Sequence, residues 1–105
     1  MNASAEQSSQ HILRLTQALL DAIAANDYAI YQTLCDTSLT AFEPEADGNL
    51  VEGLDFHKFY FTSASKSTSA ASDVQNTIVA PRVRLLGHTG AVITYVRLTQ
   101  RYECI

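Results

Sequence analysis

The sequence predicts an α+β domain, with helices first and a long antiparallel hairpin last. Three observations carry this. Apolar residues between positions 10 and 25 recur at helical spacing. Residues 91–102 alternate with period two behind a Gly87-His88-Thr89-Gly90 turn. Between these segments, residues 39–61 read LTAFEPEADGNLVEGLDFHKFYF and hold all four phenylalanines together with Tyr60. Large aromatics bury roughly 150–250 Å² each when packed, so this stretch is expected to join core, pocket and partner surface.

The chain has 105 residues, 47% hydrophobic and 17% charged, which fits one globular domain. Its net charge of −4 lacks the basic stripe of a nucleic-acid binder. No apolar run approaches the roughly 18 residues of a membrane span, and no basic segment followed by an apolar one marks a secretory signal. Cys35 and Cys104 match no metal or redox spacing and read as reduced thiols of a cytosolic, cytoplasmic protein.

Residues 1–9 are polar and serine-rich and read as a flexible start, with the domain proper over 10–105. Over 10–25, Ile12, Leu15, Leu19 and Ile23 form an apolar stripe, with Leu13, Leu20 and Ala24 beside it. Asn26 can take the left-handed geometry that ends a helix, and Asp27 can cap a second helix over 28–35. Residues 39–42 predict a short strand, Gly48-Asn49 a turn, and Leu50-Val51 a brief second strand. Gly53 breaks the chain, and Asp55 caps a third helix to about residue 63, with Phe56, Phe59 and Tyr60 on one side. Residues 63–72 are Ser/Ala-rich and read as a mobile loop. Residues 74–86 predict a strand in which Pro81 demands an edge position or a bulge. In the last strand, Val92, Thr94, Val96 and Leu98 share one face, and Ile93, Tyr95, Arg97 and Thr99 the other.

The stretch over 39–61 closely resembles the signature of the association (hub) domain of calcium/calmodulin-dependent protein kinase type II. ANDYAIYQTLCD before it, and APRVRLLG and VRLTQ after it, also fit, so the resemblance covers about 11–100. It implies a cone-like α+β fold of the nuclear transport factor two-like class, with the long helix cradled by a curved antiparallel sheet. It implies a non-catalytic module that self-assembles into dimers and stacked rings and gathers kinase domains. The implied partners are further copies of the chain and the hub domains of a related kinase. The family pattern continues past VRLTQ with further strands, so this chain is expected to be C-terminally short.

The resemblance also implies a cavity at the mouth of the cone, lined by residues matching Tyr31, His57 and Arg97, where small carboxylates bind. The family's other pocket arginines would follow the end of this sequence, so anion affinity is expected to be modest. Read from the residues alone, His57 among aromatics is a packed core histidine or a pocket residue. Arg97, mid-strand beside Ile93 and Tyr95, must pair with a carboxylate or face a cavity. Phe42, Phe56, Phe59 and Tyr60 are expected to carry core or interface packing. Arg82 and Arg84 reach the cavity or face solvent, and His11 and His88 read as surface residues.

Glu43, Glu45 and Asp47 precede Gly48 as in a calcium loop, but Leu54 falls where the bidentate glutamate belongs and Pro44 sits in the first turn. The acidic turn is therefore read as solvated, with no metal and no cofactor expected. No Ser–His–Asp or Cys–His arrangement is visible. A second functional class remains open: the same fold class hosts ketosteroid isomerase-like and polyketide cyclase-like enzymes, whose pocket Asp or His is a general base. Here the expected interior offers His57, Tyr31 and Arg97 but no evident buried carboxylate.

Overall fold

Helix α1, Ala3–Ala24, packs on the long hairpin and on the short helix that follows it. The computed structural model describes residues 3–64 and 73–102. The helix begins at Ala3, earlier than the expected residue 10, so residues 3–9 continue it. That segment has no apolar stripe to announce it. It is helical because Ala3 and Ala5 are strong helix formers and Glu6 in the first turn meets the positive end of the helix dipole. Of the expected stripe, Ile12 and Leu19 are half-buried, as are Leu13, Thr16 and Ala24 beside it, while the most buried positions are Leu20 and Ala22. Leu20 is 2% exposed, whereas Leu15 and Ile23 lie open.

α1 ends as expected. Asn26 takes a left-handed φ of 55°, and the Asp27 N–H reaches back to Ala22 O at 2.8 Å. Asp27 then caps helix α2, Tyr28–Leu34, its side chain accepting from the Ile30 N–H at 3.1 Å. Strand β1, Thr40–Phe42, pairs antiparallel with β2, Leu50–Glu52, across a single 3-10 turn at Pro44–Ala46. Gly53, at φ 83°, turns the chain out of β2, and its N–H bonds Leu39 O at 2.7 Å. Helix α3 follows at Asp55–Ala64. The loop expected over 63–72 falls outside the described residues from 65 onward.

Strand β3, Val74–Leu86, pairs antiparallel with β4, Gly90–Arg101. The two hairpins form separate two-stranded sheets among the described residues, where one curved sheet was expected. Pro81 sits in a bulge: Val79 faces Val96 and Arg82 faces Thr94, so Ala80 and Pro81 together oppose Tyr95. The extra residue reverses which side chains point inward. Before it, Asn76 and Ile78 face α1; after it, Val83 and Leu85 do, beside Ile93 and Ala91 of β4. Arg82 and Arg84 are thereby turned outward and exposed.

The bulge places Ala80 at φ 51°, where a Cβ is strained. Ala80→Val puts a β-branched side chain there and is expected to destabilise by about 1–2 kcal/mol. Ala80→Gly relieves the clash and is expected to match or exceed the parent. Thermal melting of the two variants checks this; equal melting temperatures would show that the bulge relaxes at no cost.

Asn76, 4% exposed, fastens three elements. Its Nδ2 donates to Leu20 O of α1 at 3.2 Å, and its Oδ1 accepts from Thr99 Oγ1 of β4 at 2.7 Å. Gln17 Nε2 donates to its backbone oxygen at 2.9 Å.

The aromatic stretch divides. His57 is buried and Phe56 and Phe61 are half-buried, but Phe42 is 74% and Phe59 67% exposed. Neither Phe42, on the two-stranded β1–β2 ribbon, nor Phe59, on α3, is a core residue among the described residues. The Tyr60 side chain lies outside the described residues.

Candidate functional site

The end of α1, the inner side of α2, the acidic turn, the start of α3 and the far half of β4 converge on one pocket of about 340 Å³. It brings together the three expected residues, Tyr31, His57 and Arg97, which lie far apart in the chain. Glu43 and Glu45 line it as well, with Phe61 and Ile23 as apolar wall.

Tyr31 is buried because the Asp27 cap sets α2 with this side chain inward. Its ring packs on Phe61 at 4.9 Å between centroids and stacks on the His57 imidazole at 6.0 Å. Its hydroxyl interacts with the Cys35 thiol. Burial, followed by the neighbouring Cys35 and the Glu43 carboxylate, pushes the hydroxyl far above its ordinary pKa, so it remains a donor. Burial likewise raises the Cys35 thiol, opposed by the Tyr31 bond, so nothing activates it as a nucleophile. Cys104 lies outside the described residues.

His57, in the first turn of α3, is 5% exposed. Its Nε2 lies 3.0 Å from Glu43 Oε1. An ionised carboxylate can only accept, so Nε2 carries the hydrogen of that bond. Nδ1 is buried with no hydrogen-bond partner among the described residues. Sequence reasoning missed Glu43: the turn read as solvated, yet its first carboxylate folds inward to the histidine. The signal was present in Pro44, which locks the following 3-10 turn and leaves Glu43 extended at φ −112°, ψ 144°.

Arg97 lines the pocket from its open side and makes no hydrogen bond or ion pair among the described residues. Arg82 and Arg84 are outside the pocket, since the bulge aims them at the other face of the hairpin. His11 and His88 are exposed and share a separate cleft between the start of α1 and the β3–β4 turn. No three His, Cys, Asp or Glu side chains among the described residues converge as a metal site requires. No described helix is long and apolar enough to cross a membrane.

Residues 8–104 match the family model described as the calcium/calmodulin dependent protein kinase II association domain. The calcium/calmodulin-dependent protein kinase type II of Caenorhabditis briggsae is 48% identical over 99 residues, 94% of this chain and 18% of the relative. The type II alpha chain of Drosophila melanogaster is 52% identical over 91 residues, 87% of this chain and 17% of the relative. The chain thus spans under a fifth of these curated relatives' length. Among solved structures, the association domain of the C. elegans kinase superposes with a TM-score of 0.85 at 45% identity, covering 97% of this chain and 75% of that one.

Proposed function

Because the chain belongs to the calcium/calmodulin-dependent protein kinase II association-domain family, we propose that it is a hub: a non-catalytic module that assembles with copies of itself. Its α+β fold, a long helix against antiparallel strands, is of the nuclear transport factor two-like class. The observation that carries the proposal is the outer surface of the two hairpins. Val79 and Val96 face each other in register there, with Val92, Leu86 and Leu98 nearby, all exposed. On the other hairpin, Phe42 faces Leu50, and both are exposed. Exposed apolar side chains grouped in this way mark an interface, and symmetric closure satisfies it without leaving an open end. Stacked rings are the closed assembly we propose, working in the cytoplasm. Kinase domains would be gathered by attachment to the hub, or by mixing with hubs of a related kinase.

Light scattering or sedimentation at micromolar concentration tests the proposal. A species several times 11.5 kDa is the expected result. A lone 11.5 kDa species would sink it.

The pocket supports a second, compatible role: holding a small carboxylate through Arg97, with Tyr31 and His57 shaping the floor. What favours it is that these residues share one pocket and that Arg97 makes no hydrogen bond or ion pair among the described residues. An isomerase-like reading is not favoured, because the relatives are association domains.

A further inference from the structure

Each hairpin presents an outer face that combines exposed apolar side chains with charge of one sign. On the β3–β4 hairpin, Val79, Val92, Val96 and Leu98 are exposed. In register beside them, Arg84 stands opposite Val92 and Arg82 opposite Thr94, and both arginines are exposed. On the β1–β2 ribbon, Val51 is buried and Ala41 half-buried. Alternation therefore puts Phe42 and Leu50 on the outer face with Thr40 and Glu52, and all four are exposed. No acidic residue lies in β3 or β4, and no basic one in β1, β2 or the turn between them. Arg82, Arg84 and Glu52 make no hydrogen bond or ion pair among the described residues.

Like faces do not suit one another. Two β3–β4 faces brought together by a twofold axis set the arginines of both copies into one contact, with no carboxylate from either strand to answer them. Two β1–β2 faces likewise bring the glutamates of both copies together. Unlike faces match in both respects: apolar side chains meet apolar side chains, and a guanidinium meets a carboxylate it can fork with two parallel N–H···O bonds.

We propose that the β3–β4 face of one copy docks on the β1–β2 face of the next, with Arg82 or Arg84 paired to the partner's Glu52. Val79, Val92, Val96 and Leu98 then cover the apolar pair of the ribbon. The proposal rests on the self-assembling hub reading above and names the two surfaces that meet. A contact that uses a different surface on each side leaves an open end at every step until the series closes into a ring.

Three variants decide it, each followed by sedimentation over a series of concentrations. The first carries Arg82→Glu with Arg84→Glu, the second Glu52→Arg alone, and the third all three substitutions. Each reversal alone is expected to raise the concentration for half-assembly by about tenfold or more, because like charges then share one contact. In the triple variant the charges are exchanged but again complementary, and it is expected to return to within about threefold of the parent. All three side chains are exposed, and circular dichroism matching the parent checks that the variants fold. Recovery in the triple variant also excludes misfolding as the cause of the single losses. If Glu52→Arg assembles as the parent does, or the triple variant is no better than the reversals alone, the pairing of unlike faces is overturned and the hub reading stands. A parent that sediments only at 11.5 kDa overturns both.

Discussion

Leu20→Ala is expected to destabilise the protein by about 2–5 kcal/mol, through lost apolar transfer and the cavity left behind. Leu20 is the largest fully buried side chain among the described residues, 2% exposed toward the C-terminal end of α1, a helix that lies on β3. Only Ala22, Tyr31 and Val51 join it as buried hydrophobic residues among those described. A core this small has little other packing to take over. A typical domain has only about 5–15 kcal/mol of net stability, so this substitution removes a large share. Urea unfolding at fixed protomer concentration measures it, since assembly makes apparent stability depend on concentration. A lower midpoint with unchanged slope is the expected pattern. A loss below about 0.5 kcal/mol, the size of an ordinary surface change, would mean that α1 does not close over the hairpin as described.

Asn76→Asp is expected to cost about 3 kcal/mol or more near neutral pH. Asn76 is 4% exposed, and its Nδ2 donates to Leu20 O at 3.2 Å. The substitution replaces that donor with an oxygen, setting a buried charge against a carbonyl oxygen. The sign of the pH dependence follows. The introduced carboxyl has a higher pKa folded than unfolded, because only its protonated form can donate to Leu20 O. The penalty is therefore full above the folded-state pKa and fades as pH falls toward the unfolded-state value. Asn76→Leu also loses the bonds and leaves Thr99 Oγ1 without its acceptor, but is expected to cost about 1–3 kcal/mol with no pH dependence of this kind. Unfolding curves of both variants at pH 7 and at pH 5 separate the cases. A gap between them that stays constant with pH would refute the role of the Nδ2 donor.

Features that rest on local chemistry could be read from the residues. The Asp27 cap, the left-handed Asn26 and the bounds of β3 follow from side-chain chemistry within a few positions of each. The Pro81 bulge was legible for the same reason, since a residue with no N–H cannot sit in a regular ladder. The family was legible in residues 39–61, and the matching model over residues 8–104 agrees. The helical start at Ala3 was not legible, because periodicity is silent where no apolar residue recurs.

What the sequence determined by itself is thus the set of elements, their order and the family, because each depends on neighbours in the chain. Tertiary structure decided which side of each element is inside. One extra residue at the bulge sends Arg82 and Arg84 outward and leaves Val83 and Leu85 inward, a parity that no single position announces. Phe42 on β1 and Phe59 on α3 stay exposed among the described residues, although their chemistry favours burial. Asn76 and Glu43 look like ordinary polar residues until α1 brings Leu20 O to one and α3 brings His57 to the other. Those bonds join residues 56 and 14 positions apart, and a polar group's partner at such separations exists only once the chain has folded.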